Sequence, residues 1–184
     1  MNIVSFADCQ AQRWRNNGGW TRELLAWPPG QDWELRISVA DIEADGPFSA
    51  FAGVERWFAV LHGAGVDLAG QVLTQASELF AFSGDEALSC HLLDGMTRDF
   101  NLMHKRGQGT VQVLPAQGVL HSAEHAVWVG CFCRTEQAVR VNGHPLVVPE
   151  MSLVWNDGGA QEWQFVQTAP NPRAWWIELR KDSK

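Results

Sequence analysis

Apolar and polar residues alternate along Trp33-Glu34-Leu35-Arg36-Ile37-Ser38-Val39, the two-residue period of a strand with one face buried. Trp57-Phe58-Ala59-Val60-Leu61 and Ala126-Val127-Trp128-Val129-Gly130-Cys131-Phe132 are continuously apolar and predict strands covered on both sides. No long window keeps a helical period. Asn142-Gly143 stands between apolar residues of the stretch Val139 to Val148, a strong hairpin signal, and Pro145 assigns the returning strand to a sheet edge. Glycines and prolines cut the rest into short elements, as sandwiches and barrels require. The pattern predicts an all-β fold.

A weak repeat runs through this pattern. Val66, Leu68 and Gly70 recur as Val139, Val141 and Gly143 at an offset of 73 residues, and Leu79-Phe80 resembles Leu153-Val154 at 74. Each copy reads as strand, turn, strand. Gly107 and Gly109 form a polar, glycine-rich joint within Lys105 to Thr110.

Composition narrows the partners. The 184 residues are 46% hydrophobic, ample for a buried core, and carry 14 Lys plus Arg against 21 Asp plus Glu. A formal net charge of -7 argues against nucleic acid or an anionic membrane surface as partner. The start of the chain lacks a cationic segment followed by an apolar stretch, and no run of about 18 apolar residues occurs, so a cytoplasmic protein is expected. Cys9, Cys90, Cys131 and Cys133 match no zinc or redox spacing and read as free thiols, with Cys131 and Cys133 on one strand face. Ten tryptophans include the pair Trp175-Trp176, which places at least one indole on a less buried face.

Four segments carry candidate chemistry. Trp14-Arg15-Asn16-Asn17-Gly18-Gly19-Trp20-Thr21-Arg22-Glu23 gathers amide, guanidinium, hydroxyl and carboxylate groups around a glycine pair suited to positive φ or close approach. Leu35-Arg36-Ile37-Ser38-Val39-Ala40 follows, then Gly46-Pro47-Phe48-Ser49-Ala50-Phe51-Ala52-Gly53-Val54-Glu55-Arg56, then Asp99, Asn101, Met103 and Arg106 in the last segment. In order and spacing these resemble the HutD/Ves family of the cupin superfamily, whose pattern runs W-[KR]-N-G-G-G-x-T-R-E, W-R-x-S-x-A, G-P-F-S-x-F-x-G-x-x-R and D-x-N-x-M-x-x-R. Asn17 departs from the first of three glycines and Leu35 from a tryptophan; Asn tolerates the left-handed backbone region and adds a side chain near any ligand. The resemblance implies cupin-type jelly-roll barrels in a compact bicupin with halves at residues 1–106 and 107–184, the first carrying the motif residues, association with histidine utilisation, and a homodimer joined through sheet edges.

Cupins that bind metal supply two histidines two residues apart, a carboxylate and a later histidine. Here His62, His91, His104, His121, His125 and His144 are scattered, so no metal and no cofactor is expected. No G-x-S-x-G elbow is present, and neither Ser38 nor Ser49 has a base nearby in sequence, so the catalytic residues stay unassigned. The motif residues do include Arg22, Arg36, Arg56 and Arg106, and an arginine fork matches a carboxylate with two parallel hydrogen bonds. Each could instead pair internally with Glu23, Asp41, Glu55 or Asp99. Arg56, after a turn and at the start of an apolar strand, is the preferred ligand-facing one. Asn16, Thr21, Glu23 and Asn101 are further candidates to orient a polar ligand, while Trp14, Phe48 and Met103 supply apolar walls. Asp99 shares a strand face with Asn101 and Met103 and reads best as hydrogen-bonded scaffold.

Three functions follow as expectations. The first is a metal-free cupin that binds a small carboxylate metabolite; the resemblance supplies the pathway, with urocanate or a formimino- or formyl-glutamate as examples, and a regulatory role. The second is an isomerase, lyase or hydrolase of the same fold, with Glu23 or Asp99 as acid/base and Arg56 holding substrate. The third is a protein-contact function through Trp175 and Trp176.

Overall fold

The computed structural model describes residues 1–165 and 174–181. Among them are nineteen strands, one 3-10 turn at Phe6–Asp8 and no α-helix. In chain order the strands are β1 (Asn2–Ser5), β2 (Gln12–Arg13), β3 (Gly19–Trp27), β4 (Leu35–Ile42), β5 (Gly46–Phe48), β6 (Val54–His62), β7 (Val66–Leu68), β8 (Gln71–Leu73), β9 (Phe80–Ser83) and β10 (Leu88–Leu92). They continue as β11 (Thr97–Lys105), β12 (Thr110–Pro115), β13 (Gly118–His121), β14 (Ala126–Cys133), β15 (Gln137–Val141), β16 (His144–Val148), β17 (Ser152–Asp157), β18 (Glu162–Phe165) and β19 (Ala174–Arg180). The three strands read from apolar patterning correspond to β4, β6 and β14.

The chain divides into two units, Cys9–Arg106 and a second made of Met1–Asp8 with Gly107–Lys184. The first eight residues therefore depart from the division at residues 1–106. Their strand β1 pairs antiparallel with β17, Asn2 opposite Trp155 through Ser5 opposite Ser152, and so completes a sheet of the second unit.

In the unit Cys9–Arg106, a six-stranded sheet of order β2-β3-β4-β11-β6-β9 faces a four-stranded sheet of order β5-β10-β7-β8. Alternation along each strand sends one set of side chains inward. Ile42, Phe58 and Val60 of the larger sheet meet Phe48, Val66, Leu68, Leu73 and Cys90 of the smaller in one buried cluster. Each large apolar side chain so enclosed stabilises the fold by about 1.5–3 kcal/mol. This cluster occupies only part of the inner surface, and the motif residues line the remainder.

The second unit repeats the plan. Its sheets run β1-β17-β14-β19-β12 and β13-β18-β15-β16, and the latter has the order of β5-β10-β7-β8 with every strand eight places on. The repeat visible in sequence is the hairpin shared by both: Ala69 (φ 52°) and Gly70 (φ 86°) join β7 to β8 as Asn142 (φ 50°) and Gly143 (φ 79°) join β15 to β16. Two successive left-handed residues match the twist of the flanking strands, which is why Asn-Gly is favoured there. Pro145 lies on β16, an edge strand, as its missing N–H requires.

The second unit has a buried core of its own. Trp163, Phe165, Trp176, Cys131 and Cys133 pack with Val129, Val139 and Val154 in a continuous core, the two thiols 3.8 Å apart. The expectation of an exposed indole at Trp175-Trp176 is corrected: both are buried, at 5% and 1%. Trp176 enters this core and Trp175 stacks on Phe132 with ring centroids 6.0 Å apart. A contact surface through these two residues loses its basis. No helix among the described residues is long and apolar enough to cross a membrane.

Candidate functional site

The register of the six-stranded sheet arranges the motif residues in rows. Asp99 lies opposite Ala40 on β4 and Val60 on β6; Asn101 lies opposite Ser38 and Phe58; Met103 lies opposite Arg36 and Arg56. On the flanks, Thr21 faces Ala40 and Phe82 faces Arg56. Positions two apart on a strand share a face, so Asp99, Asn101 and Met103 fall on one inner surface, with Arg36, Ser38 and Ala40 beside them and Arg56 on the far side. Here the surface opens into a cavity of about 680 Å³. Trp14, Asn16, Thr21, Arg36, Phe48, Arg56, Asn101 and Met103 all line it, together with Ser38, Ala40, Ser49, Phe51 and Asp99.

The first motif forms the cavity's edge. Trp14 donates its indole N–H to Thr21 Oγ1 at 2.7 Å, and the Asn16 side-chain oxygen accepts the Gly18 N–H at 3.0 Å. The glycine pair serves packing rather than positive φ. A Cβ on Gly19 would stand 2.3 Å from the Asp41 carbonyl oxygen, while the left-handed residue of the turn is Asn17, at φ 58°. Asn17 is exposed and does not line the cavity, so its side chain shapes the turn instead of the lining.

Arg56 is 5% exposed, and its guanidinium lies against three rings, with centroids 5.3 Å (Phe48), 5.6 Å (Phe51) and 5.0 Å (Phe82) from Cζ. One Nη donates to the Ser49 carbonyl at 3.3 Å, whereas the buried Nε has no hydrogen-bond partner among the described residues. Burial lowers its pKa to about 10, with Asp99 opposing and Arg36 reinforcing that shift. The group stays cationic at neutral pH.

Asp99 is 1% exposed, and neither carboxylate oxygen has a hydrogen-bond partner among the described residues. Its expected role as hydrogen-bonded scaffold is corrected. Burial pushes its pKa up to about 8, against the pull of Arg56 and with some help from Asp41. Asn101 adds a buried side-chain oxygen that is likewise unpartnered. Such acceptors are uncommon in native proteins and mark places where something else completes the bonding.

The other predicted residues separate from this group. Arg22 pairs with Asp41 at 3.3 Å, and Arg98 grips the same carboxylate at 2.6 and 3.1 Å, on the opposite face of the sheet. Arg106 pairs with Glu55 at 2.8 Å and with both oxygens of Asp85 at 2.5 Å, away from the cavity. Gly53 N–H, the Ser83 hydroxyl and Arg106 together hold the Asp85 carboxyl down at about 2. Glu23 accepts from Arg36 Nε at 2.6 Å and is absent from the cavity lining. Sequence reasoning passed over Phe51 and Phe82, which flank Arg56; Phe51 lies inside a quoted motif, but Phe82 comes from β9 and carries no sequence signal for that contact.

Among the described residues no group of three or more His, Cys, Asp or Glu side chains is placed to hold a metal ion. The cavity's lining does not fit one either, because four arginines, Arg13, Arg15, Arg36 and Arg56, repel a cation and Asp99 is the one carboxyl that lines it among the described residues.

The HutD family profile matches residues 6–169. The chain belongs to the HutD family. A Pseudomonas putida protein named for its place in the hutC 3′ region is 36% identical over 137 residues, 69% of this chain and 71% of that one. Protein Ves of Cronobacter sakazakii is 31% identical over 150 residues, 79% and 81% of the two chains. The solved structure of HutD from Pseudomonas fluorescens SBW25, in a formate condition, superposes with a TM-score of 0.80 at 28% identity, covering 99% of both chains. A cupin 2 conserved barrel protein from Leptotrichia buccalis gives a TM-score of 0.57 at 12% identity over 98% and 96%, a likeness of fold. The HutD chain is thus an all-β protein of cupin type.

Proposed function

We propose that the cavity binds a small carboxylate metabolite and that occupancy is read out in the regulation of histidine utilisation. The observation that carries this is the state of Arg56: a buried cation on the cavity wall that makes no ion pair among the described residues, with one N–H still unused. Arg22, Arg98 and Arg106 are matched by the protein's own acids. Enclosing an uncompensated guanidinium costs stability, and an incoming carboxylate offsets that cost with charge-assisted, two-pronged bonding. Arg36, on the far side of Met103 in the same row, also lines the cavity, with its Nε paired to Glu23 at 2.6 Å. The pathway comes from the family, including the relative located in the hutC 3′ region.

A second reading is favoured by Asp99. A buried acid with its pKa raised to about 8, facing the same cavity, is poised to take up or deliver a proton near neutral pH, as an isomerase, lyase or hydrolase would require. Glu23, tied to Arg36 outside the cavity, has no such placement.

Calorimetric titration with intermediates of histidine breakdown, urocanate and formimino- and formyl-glutamate among them, tests the first reading. Mass spectrometry of any binder after incubation with the protein tests the second. Binding without conversion is the expected outcome; conversion moves the assignment to an enzyme, and no binding by any carboxylate contradicts both.

A further inference from the structure

Three buried side-chain oxygens in the cavity have no hydrogen-bond partner among the described residues: both of Asp99 and that of Asn101. They occur on one strand, two residues apart, so they point from the same strip of the inner surface. The cationic row, Arg36–Met103–Arg56, crosses that strip at Met103. Asp99 is four residues from Met103, a backbone separation of about 13 Å at 3.3 Å per residue, and Asn101 lies midway. The cavity therefore has a donor end and an acceptor end on one continuous wall.

A ligand bearing only a carboxylate would satisfy the donor end. It would leave all three acceptors empty and bring its negative charge toward Asp99. A ligand with an N–H group at its other end fills both. We propose that the natural ligand is bipolar: its carboxylate lies against the Arg36–Met103–Arg56 row, and a nitrogen group, such as an ammonium, amidinium or imidazole N–H, donates to Asp99 and Asn101. This rests on the carboxylate reading above and adds the chemistry of the second end.

Proton linkage distinguishes the two kinds of ligand. The charged groups acting on Asp99 are Arg56 on β6 and Asp41 on β4; Arg36 on β4 acts on Arg56, and the Cys90 thiol on β10 is raised to about 12 and stays neutral. In the free protein Asp99 holds its proton through most of the range below about 8. A cationic nitrogen set beside it favours the ionised carboxylate, so binding releases a proton and tightens as pH rises toward that value. A plain carboxylate does the reverse, favouring the protonated form and weakening as pH rises.

The test is calorimetry at several pH values, in buffers of different ionisation enthalpy, with the ω-amino acids from glycine to 6-aminohexanoate. Each is compared with the fatty acid in which carbon replaces its nitrogen, and 4-imidazoleacetate is compared with phenylacetate. At least one nitrogen compound is expected to bind about tenfold or more tighter than its carbon counterpart, with proton release wherever its nitrogen is cationic. In Asp99→Asn that preference falls to within about twofold and the proton release disappears. Equal or tighter binding of the carbon compounds, with proton uptake, overturns the bipolar ligand and leaves the carboxylate reading standing. An unchanged preference in Asp99→Asn overturns the role of Asp99. No binding by any member of the panel overturns both the proposal and the carboxylate reading.

Discussion

Asp99 and Arg56 face one cavity from adjacent strands without forming an ion pair: the carboxylate oxygens of Asp99 and the Nε of Arg56 each lack a hydrogen-bond partner among the described residues. Their charges still act on each other, since Arg56 draws the Asp99 pKa down and Asp99 draws the Arg56 pKa up. In both groups burial is the larger influence. Each is therefore held in a state that a ligand could improve, which is the physical basis for placing function here.

The first consequence concerns stability. Asp99 ionises near the ordinary aspartate value of 3.8 in the unfolded chain and at about 8 in the fold. Between those values the native state binds more protons than the unfolded state, so stability is full below about 3.8 and falls as pH rises to about 8. Asp99→Asn removes this dependence and raises Tm near pH 8; relief of even about 1 kcal/mol corresponds to about 2–4 °C for a chain of this size. Calorimetric melting of both proteins at acid and at mildly alkaline pH measures it. Parallel Tm–pH curves would contradict the assignment.

A second prediction separates fork from charge at Arg56. Arg56→Lys keeps the cation but loses the planar pair of donors, so affinity for a carboxylate ligand falls by about tenfold or more while circular dichroism stays unchanged. Equal affinity in the lysine variant would show that charge alone suffices.

Arg106 gives the contrasting case. Its partners Glu55, Ser83 and Asp85 account for its donors outside the cavity, so Arg106→Ala leaves ligand affinity within about twofold of the wild type. A large loss of affinity, measured beside an unchanged melting curve, would return Arg106 to the ligand-binding set.

Gly19 tests the packing role of the first motif. A methyl group there would meet the Asp41 carbonyl oxygen at 2.3 Å and the Trp14 ring at 3.2 Å, with backbone on one side and a ring on the other. Gly19→Ala is expected to destabilise by about 2 kcal/mol or more in urea unfolding. Gly18→Ala, whose new Cβ lies 3.3 Å from a movable Asn16 amide oxygen, should cost less.

Much of this was legible in the residues themselves. Alternation marked β4, continuous apolar runs marked β6 and β14, and Asn142-Gly143 marked a hairpin, because these signals arise from local backbone chemistry. The inward face of β11 was also legible, since a two-residue period places Asp99, Asn101 and Met103 together. Pairing partners were not. Nothing local indicates that Asp41 serves both Arg22 and Arg98 while Asp99 bonds to none of the described residues; that follows from the register of β4 against β3 and β11. The exposure expected for Trp175-Trp176 failed for a related reason, because long-range pairing encloses β19 between β14 and β12.

The most direct measurement is calorimetric titration of wild-type protein and Arg56→Ala with a panel of small carboxylates at neutral pH. Saturable binding by the wild type, lost by about a hundredfold or more in a folded Arg56→Ala, is the predicted result. Wild-type binding that survives the substitution undiminished would contradict the account, as would the absence of any carboxylate ligand.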